Sequence, residues 1–314
     1  MKANTSREPA SAPCRIAVLL PCHNEEIAIG VTVEAFAKAL PGADIYVYDN
    51  NSSDGTVVAA RAAGAIVRSE PRQGKGHVVR RMFADVDADI YVMADGDATY
   101  DAGSAPAMIA RLLDEGLDMI VGSRRSTSEE AYRRGHQLGN RLLTGLLAMI
   151  FGQSFADILS GYRIFSRRFV KTFPAMSGGF EIETEISVHS LEMRLPVAEV
   201  ETPYGARSDG SVSKLSTYRD GFRILFTLIE LFRSQKPLLF FSIIAGVIVG
   251  VATVLFIPIA ITYQQTGLVP QFPTAFLIAS LMVVAVLCVF CGLILDNVGR
   301  GRREAWRLAY LAAR

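Results

Sequence analysis

The sequence predicts an α/β fold built on a mostly parallel sheet, and three observations carry that reading. Short apolar runs alternate with segments of helical periodicity through the first 121 residues; Pro, Gly, Asn and Asp bound the runs; and the polar motifs fall immediately after them. Alternating strand and helix brings the strands into one sheet covered on both faces, and such sheets bind ligands at the carboxyl ends of their strands. Strands are expected at Ile16 to Leu20, Asp44 to Tyr48, Ala65 to Val67, Asp89 to Met93 and Asp118 to Val121, each built on a short apolar run. Between them, helical patterns cover Glu25 to Leu40, Thr56 to Ala63, Lys75 to Asp87 and Ala105 to Glu115.

The fourth strand runs into Ala94-Asp95-Gly96-Asp97. Two carboxylates flanking a glycine at a strand end can share one divalent cation. Mg²⁺ or Mn²⁺ needs only one or two protein carboxylates when phosphate oxygens supply other ligands, so this turn suits a metal–nucleoside diphosphate complex. A short D-x-D alone is equally a solvated turn, and its neighbours decide. Pro21-Cys22-His23-Asn24-Glu25-Glu26 follows the first strand, and Asp49-Asn50-Asn51-Ser52-Ser53-Asp54-Gly55-Thr56 follows the second. In Gln73-Gly74-Lys75-Gly76 a lysine stands between two glycines, where backbone can approach a phosphate closely. No G-x-G-x-x-G follows the first strand, so a nucleotide is expected without the dinucleotide fingerprint.

These motifs, with Gly122-Ser123-Arg124, Asp157-Ile158-Leu159-Ser160-Gly161-Tyr162-Arg163, Glu183-Thr184-Glu185 and the run from Arg207 to Leu215, resemble the inverting glycosyltransferases of family 2. That family has the GT-A fold. The later motifs look like its polyprenyl-phosphate subgroup, typified by dolichol-phosphate mannose synthase. The resemblance implies that Pro21, Asn24 and Glu25 wall the nucleoside, that Asp49 and Asn50 read base and ribose, and that Lys75 meets phosphate. It assigns Asp95, Gly96 and Asp97 to the nucleotide sugar, with Asp95 and Asp97 holding Mg²⁺ or Mn²⁺ against its diphosphate and Asp97 catalytic. Asn50 stands where the family more often has a second aspartate, and Thr99 where the subgroup often has glutamine.

On the acceptor side, Arg124, Arg133 and Arg134 precede Leu142 to Phe151, which is apolar almost all round. Guanidinium pairs bidentately with phosphate oxygens, so a basic cluster beside an apolar helix suits a lipid phosphate; a core helix with snorkelling arginines is the alternative. Arg207 and Lys214, with Ser213, lie on a polar loop whose family counterpart binds phosphate, and the resemblance makes Arg207 and Lys214 catalytic. The loop is one residue longer than the shortest family form.

Leu238 to Tyr263 is uncharged for 26 residues, about 39 Å as a helix and enough to span a bilayer with some tilt. Phe276 to Leu295 is a second span. Lys and Arg gather outside this hairpin: Arg219, Arg223, Arg233 and Lys236 before it, then Arg300, Arg302, Arg303, Arg307 and Arg314 after it. The positive-inside rule therefore puts both termini and the catalytic domain in the cytoplasm. Tyr218, Phe222, Leu225, Phe226 and Ile229 recur at helical spacing, the pattern of a helix lying in the membrane interface. The expected organisation is a disordered stretch over 1–14, a GT-A catalytic domain over 15–215, an interfacial helix over 216–236, a two-helix transmembrane hairpin over 237–296 and a basic interfacial helix over 297–314.

Net charge of +1 gives no sign of nucleic-acid binding. Cys14 and Cys22 fit a reducing cytoplasm, Cys288 and Cys291 lie inside a span, and the four histidines show no zinc spacing. The expected partners are a nucleoside diphosphate sugar, UDP- or GDP-linked, a polyprenyl phosphate and the membrane, with self-association into a homo-oligomer left open. The activity implied is transfer of one sugar with inversion. A processive polysaccharide synthase would carry Q-x-x-R-W and more spans, whereas the only tryptophan is Trp306. A non-catalytic sugar-nucleotide sensor is opposed by the intact D-x-D, and for a translocator two spans are few unless several chains assemble.

Overall fold

The computed structural model describes residues 14–126, 145, 148, 155–179, 181–205, 226 and 229–313. Its strands are β1 (Ile16–Cys22), β2 (Asp44–Asp49), β3 (Ile66–Ser69), β4 (Ile90–Met93), β5 (Met119–Ser126), β6 (Arg163–Ser166) and β7 (Val197–Tyr204). The helices are α1 (Glu26–Ala39), α2 (Thr56–Ala62), α3 (Lys75–Asp85), α4 (Ala105–Asp114), α5 (Arg167–Thr172), α6 (Ile182–Glu192), α7 (Pro237–Thr266) and α8 (Phe272–Ala312). All five predicted strands and all four predicted helices up to residue 126 are present, displaced by a few residues at their ends.

One sheet orders its strands β3-β2-β1-β4-β6-β5-β7. Neighbours run parallel except that β6 is antiparallel to both β4 and β5. Alternate strand residues feed opposite faces. Val18, Leu20, Val47, Val92 and Ile164 pack with Ile29, Val33 and Phe36 of α1 and with Met108 and Leu112 of α4. Aromatic contacts join Phe83 of α3 to Tyr91 and Phe165, and Phe169 of α5 to Phe165 and Phe173. α1 buries Ala28, Ile29, Thr32, Val33 and Phe36, the single face expected of a helix lying on a sheet.

The strand order positions the site. Because β6 runs backwards, Arg163 at its start lies opposite both Met93, at the end of β4, and Val121 of β5. The loop entering β6 therefore reaches the same sheet edge as the loops leaving β1, β2 and β4. Arg163 itself is fully buried and donates to the carbonyls of Ile158 (2.6 Å) and Ser160 (2.9 Å) and to the Ser187 hydroxyl (2.9 Å). Burial lowers its pKa to about 10, so it remains a cation at neutral pH.

By contacts the chain divides into Met1–Thr217 with Leu308–Arg314, and Tyr218–Arg307. In the first unit, fully buried Asp118 accepts hydrogen bonds from Ser166 Oγ (2.8 Å), Arg168 (3.2 Å) and the Tyr310 hydroxyl (2.7 Å). The second holds α7 and α8 as far as Arg307, and both helices are long and apolar enough to cross a membrane. Their apolar side chains are mostly exposed, and the buried positions Ala245, Ala252 and Ile259 recur every seven residues along α7. Small residues in such a stripe let helices pack closely in lipid.

The expected separate helix over 297–314 is not separate: α8 runs 41 residues without interruption. No proline breaks it, and Asp296 pairs with Arg300 one turn on (3.1 Å). Of the proposed interfacial helix, Phe226 and Ile229 are helical and exposed, while Tyr218, Phe222 and Leu225 lie outside the described residues, as do residues 1–13.

Candidate active site

Three loops leave the carboxyl ends of β1, β2 and β4, and each contains one non-glycine residue in the left-handed region: Asn24 (φ 54°), Asn51 (φ 60°) and Ala98 (φ 58°). Such backbone costs about 1–2 kcal/mol per residue and is held only where surroundings over-determine it, commonly at functional sites.

The first two loops are tied together by side chains. Asn24 Oδ1 accepts from Ser53 N (2.8 Å), while Asn24 N donates to Ser52 Oγ (2.8 Å) and Glu25 N to Thr56 Oγ1 (2.8 Å). Glu26 adds a carboxylate that accepts from Gly55 N at the start of α2 (2.9 Å). Pro21 lies within β1 beside Tyr48 of β2. Asp49 is buried and both its oxygens accept from Ser52 N (3.3 Å).

Asn50 ties in the β3–α3 loop. Its Nδ2 donates to the carbonyls of Glu70 and Arg72 (both 2.8 Å), and its Oδ1 accepts from Gly74 N (2.7 Å). This explains the asparagine where the resembling family more often has aspartate: a carboxylate has no hydrogen to offer two carbonyls. Gly74, held here, has φ 131°, and a Cβ on it would lie 2.2 Å from the Gly178 carbonyl oxygen. The segment Ser177-Gly178-Gly179 packs against this turn, and Gly76 N donates to Gly179 O (3.0 Å).

Lys75 begins α3 and reaches the D-x-D turn. Its ammonium touches the Asp95 carboxylate and, at 2.5 Å, Glu183 of α6. Burial by itself would lower the lysine's pKa, but the two carboxylates outweigh it and raise the pKa, so Lys75 is a fixed cation. Gly161 leaves room for the contact, since a Cβ there would lie 2.7 Å from Asp95 Oδ2 and 3.1 Å from Lys75 Nζ. Gly161 N is held by the buried Tyr100 hydroxyl (2.9 Å). Gly96 O accepts from Thr32 Oγ1 (3.3 Å), and buried Asp97 accepts from Thr99 Oγ1 (2.6 Å).

Among the described residues no group of three or more His, Cys, Asp or Glu is arranged to hold a metal. Asp95 and Asp97 nevertheless fit a hard cation that brings phosphate and water as further ligands, and the Lys75 ammonium already stands as a cation against Asp95. Of the predicted acceptor residues, Arg124 makes a bidentate pair with Asp157 (2.6 and 2.8 Å) and lies 5.5 Å over the Tyr204 ring. Arg133, Arg134, Arg207, Ser213 and Lys214 lie outside the described residues.

Glu183 is the residue that sequence reasoning underweighted. Within Glu183-Thr184-Glu185 the two glutamates point roughly 200° apart on a helix. Glu183 turns to Lys75, whereas Glu185 accepts from Met176 N (2.8 Å) and Ser177 N (2.7 Å) and so shapes the segment against Gly74 and Gly76. The motif was visible; its division of labour needed the helix phase.

Residues 17–173 match the family model described as Glycosyl transferase family 2. Among similar proteins, Glycosyltransferase AglJ of Haloferax volcanii is 36% identical over 232 residues, covering 73% of this chain and 76% of that protein. A Dolichyl-phosphate hexose transferase of the same organism is 26% identical over 221 residues, covering 70% of this chain and 95% of that one. A solved structure of glucosyl-3-phosphoglycerate synthase from Mycobacterium tuberculosis, in complex with Mg²⁺ and UDP, superposes with a TM-score of 0.58 at 26% identity, covering 68% and 79% of the two chains. The strand-end loops just described thus fall in a sheet with GT-A relatives and, except for the Ser177 segment and α6, inside the matched segment: the chain belongs to glycosyl transferase family 2 and is a glycosyltransferase.

Proposed function

We propose that this enzyme moves a single sugar from a UDP- or GDP-linked donor to the phosphate of a polyprenyl phosphate at the cytoplasmic face of a membrane. The observation that carries the reading is the pairing of a GT-A site with two apolar helices long enough to span a bilayer. Similarity to a Dolichyl-phosphate hexose transferase supports it.

An acceptor phosphate oxygen attacks the anomeric carbon from the face opposite the donor diphosphate; the new C–O bond forms as the old one breaks, so configuration inverts. The second pKa of a phosphate monoester is near 6, so the acceptor is mostly dianionic at neutral pH and needs no strong general base. Positioning and charge neutralisation remain for the protein. Asn24, Asn50 and Asp49 order the loops around the nucleoside, and Lys75 offers its ammonium to the diphosphate. Asp95 and Asp97 would hold Mg²⁺ or Mn²⁺, which when bound neutralises the leaving group. Arg207 and Lys214, with Ser213, Arg124, Arg133 and Arg134, form the acceptor-phosphate set.

The test is nucleotide release by the purified full chain from UDP- and GDP-sugars, with and without polyprenyl phosphate. Release that requires the lipid, with sugar recovered on it, is expected; release indifferent to the lipid overturns the acceptor. Arg207→Ala and Lys214→Ala should each slow lipid-dependent transfer by about a hundredfold or more, and near wild-type transfer by both removes them from the acceptor set.

A further inference from the structure

Lys75 is nearly buried, with 9% of its side chain exposed, and contacts Asp95 on one side and Glu183 on the other. The three charges sum to −1, and Asp97 stands two residues beyond Asp95. A divalent cation entering alone must take Asp95 from an ammonium already seated on it, or sit beside a like charge at close range in a partly buried site. A nucleoside diphosphate changes the balance, because its oxygens offer the ammonium a new anionic partner. Glu183, 6% exposed, keeps Lys75 within reach of both positions.

We infer that Lys75, positioned by Glu183, serves as a resident counter-cation on Asp95 and passes to the donor diphosphate when donor and metal enter, so that the divalent cation and the nucleotide bind cooperatively. The inference rests on the proposed metal role of Asp95 and Asp97. It adds that the ligand-free enzyme discriminates against bare metal, and that Glu183 acts through Lys75 rather than on the sugar. Coupling of this kind is reciprocal: whatever factor nucleotide adds to metal affinity, metal adds to nucleotide affinity.

The experiment is a Mn²⁺ titration of the full chain in detergent, read by the loss of the free-ion paramagnetic signal, with and without UDP or GDP. Wild type should bind Mn²⁺ about tenfold or more tightly once nucleotide is present. Lys75→Met should tighten Mn²⁺ binding without nucleotide by a similar factor and lose most of the coupling. Since removing one partner of a buried ion pair can unfold a protein, the double variant Lys75→Met/Glu183→Gln is measured beside it. That variant keeps the triad's net charge at −1 while freeing Asp95, and it should show the same gain. Unchanged or weaker nucleotide-free binding in a folded variant overturns the counter-cation role alone. Absence of Mn²⁺ binding by wild type even with nucleotide overturns the metal role of Asp95 and Asp97 together with this inference.

Discussion

A carboxylate at position 50 would face two carbonyl oxygens. Asn50 is 4% exposed and spends its whole amide on the loop from Glu70 to Gly74, so Asn50→Asp should cost about 2 kcal/mol or more of stability through unmade buried hydrogen bonds. Thermal unfolding of the purified variant measures this, and weaker donor binding should accompany it. Asp97 sits at the opposite pole, where the proposed chemistry rather than loop order is at stake. Asp97→Asn should leave the fold intact and lower transfer by about a hundredfold or more, and EDTA should silence the wild type; full activity in EDTA would refute metal dependence. The contrast shows what sequence can yield at this scale. The place of Asp95 and Asp97 just beyond a strand was legible because they end an apolar run, a local signal. The task of Asn50 was not, because its partners lie some twenty residues on and become neighbours only when β2 and β3 pair.

Elements up to β5 were legible for a physical reason: each strand is an apolar run cut by turn residues, and each helix between them buries one face. Beyond residue 155 that contrast fades. α6 is buried on nearly every side, with Glu183, Ser187, His189 and Ser190 inside it, so its sequence carries almost no amphipathic period. β6 has four residues and opens with a buried arginine, which reads as polar boundary rather than strand. The apolar helices were legible because length and composition alone define them, though not where α8 would stop. Their orientation is testable. Gly267 caps α7 at φ 68°, a poor place for a side chain, so the reporter cysteine belongs at exposed Gln271. In intact cells Gln271→Cys should react with a membrane-impermeant thiol reagent, whereas exposed Cys14 should react only after lysis. The reverse pattern would invert the topology and remove the donor supply from the catalytic side.

For the molecule as a whole, stability should depend on pH through His189. Burial lowers its pKa to about 4 from 6.5, so the folded protein keeps the ring neutral while the unfolded chain takes up a proton first as pH falls. The stabilisation is complete above about pH 6.5 and is lost progressively down to about pH 4, a change of at most about 3 kcal/mol. Between pH 7 and pH 4.5 the unfolding midpoint of wild type should fall further than that of His189→Leu; equal falls would remove His189 as the cause. The position of β6 in the sheet bears on a different matter, the order in which the molecule can be made. Among the described residues β5 and β7 join the other strands only through β6, and synthesis runs from the amino terminus. While the roughly 70 residues between β4 and β6 emerge, the free edge of β4 has no partner and Asp95 has neither Gly161 above it nor Glu183 behind its lysine. Unpaired edges invite mispairing. A nascent chain therefore carries a half-sheet with an open margin until Arg163 arrives, and the contacts of Lys75 with Asp95 and Glu183 can form together only once Glu183 has emerged.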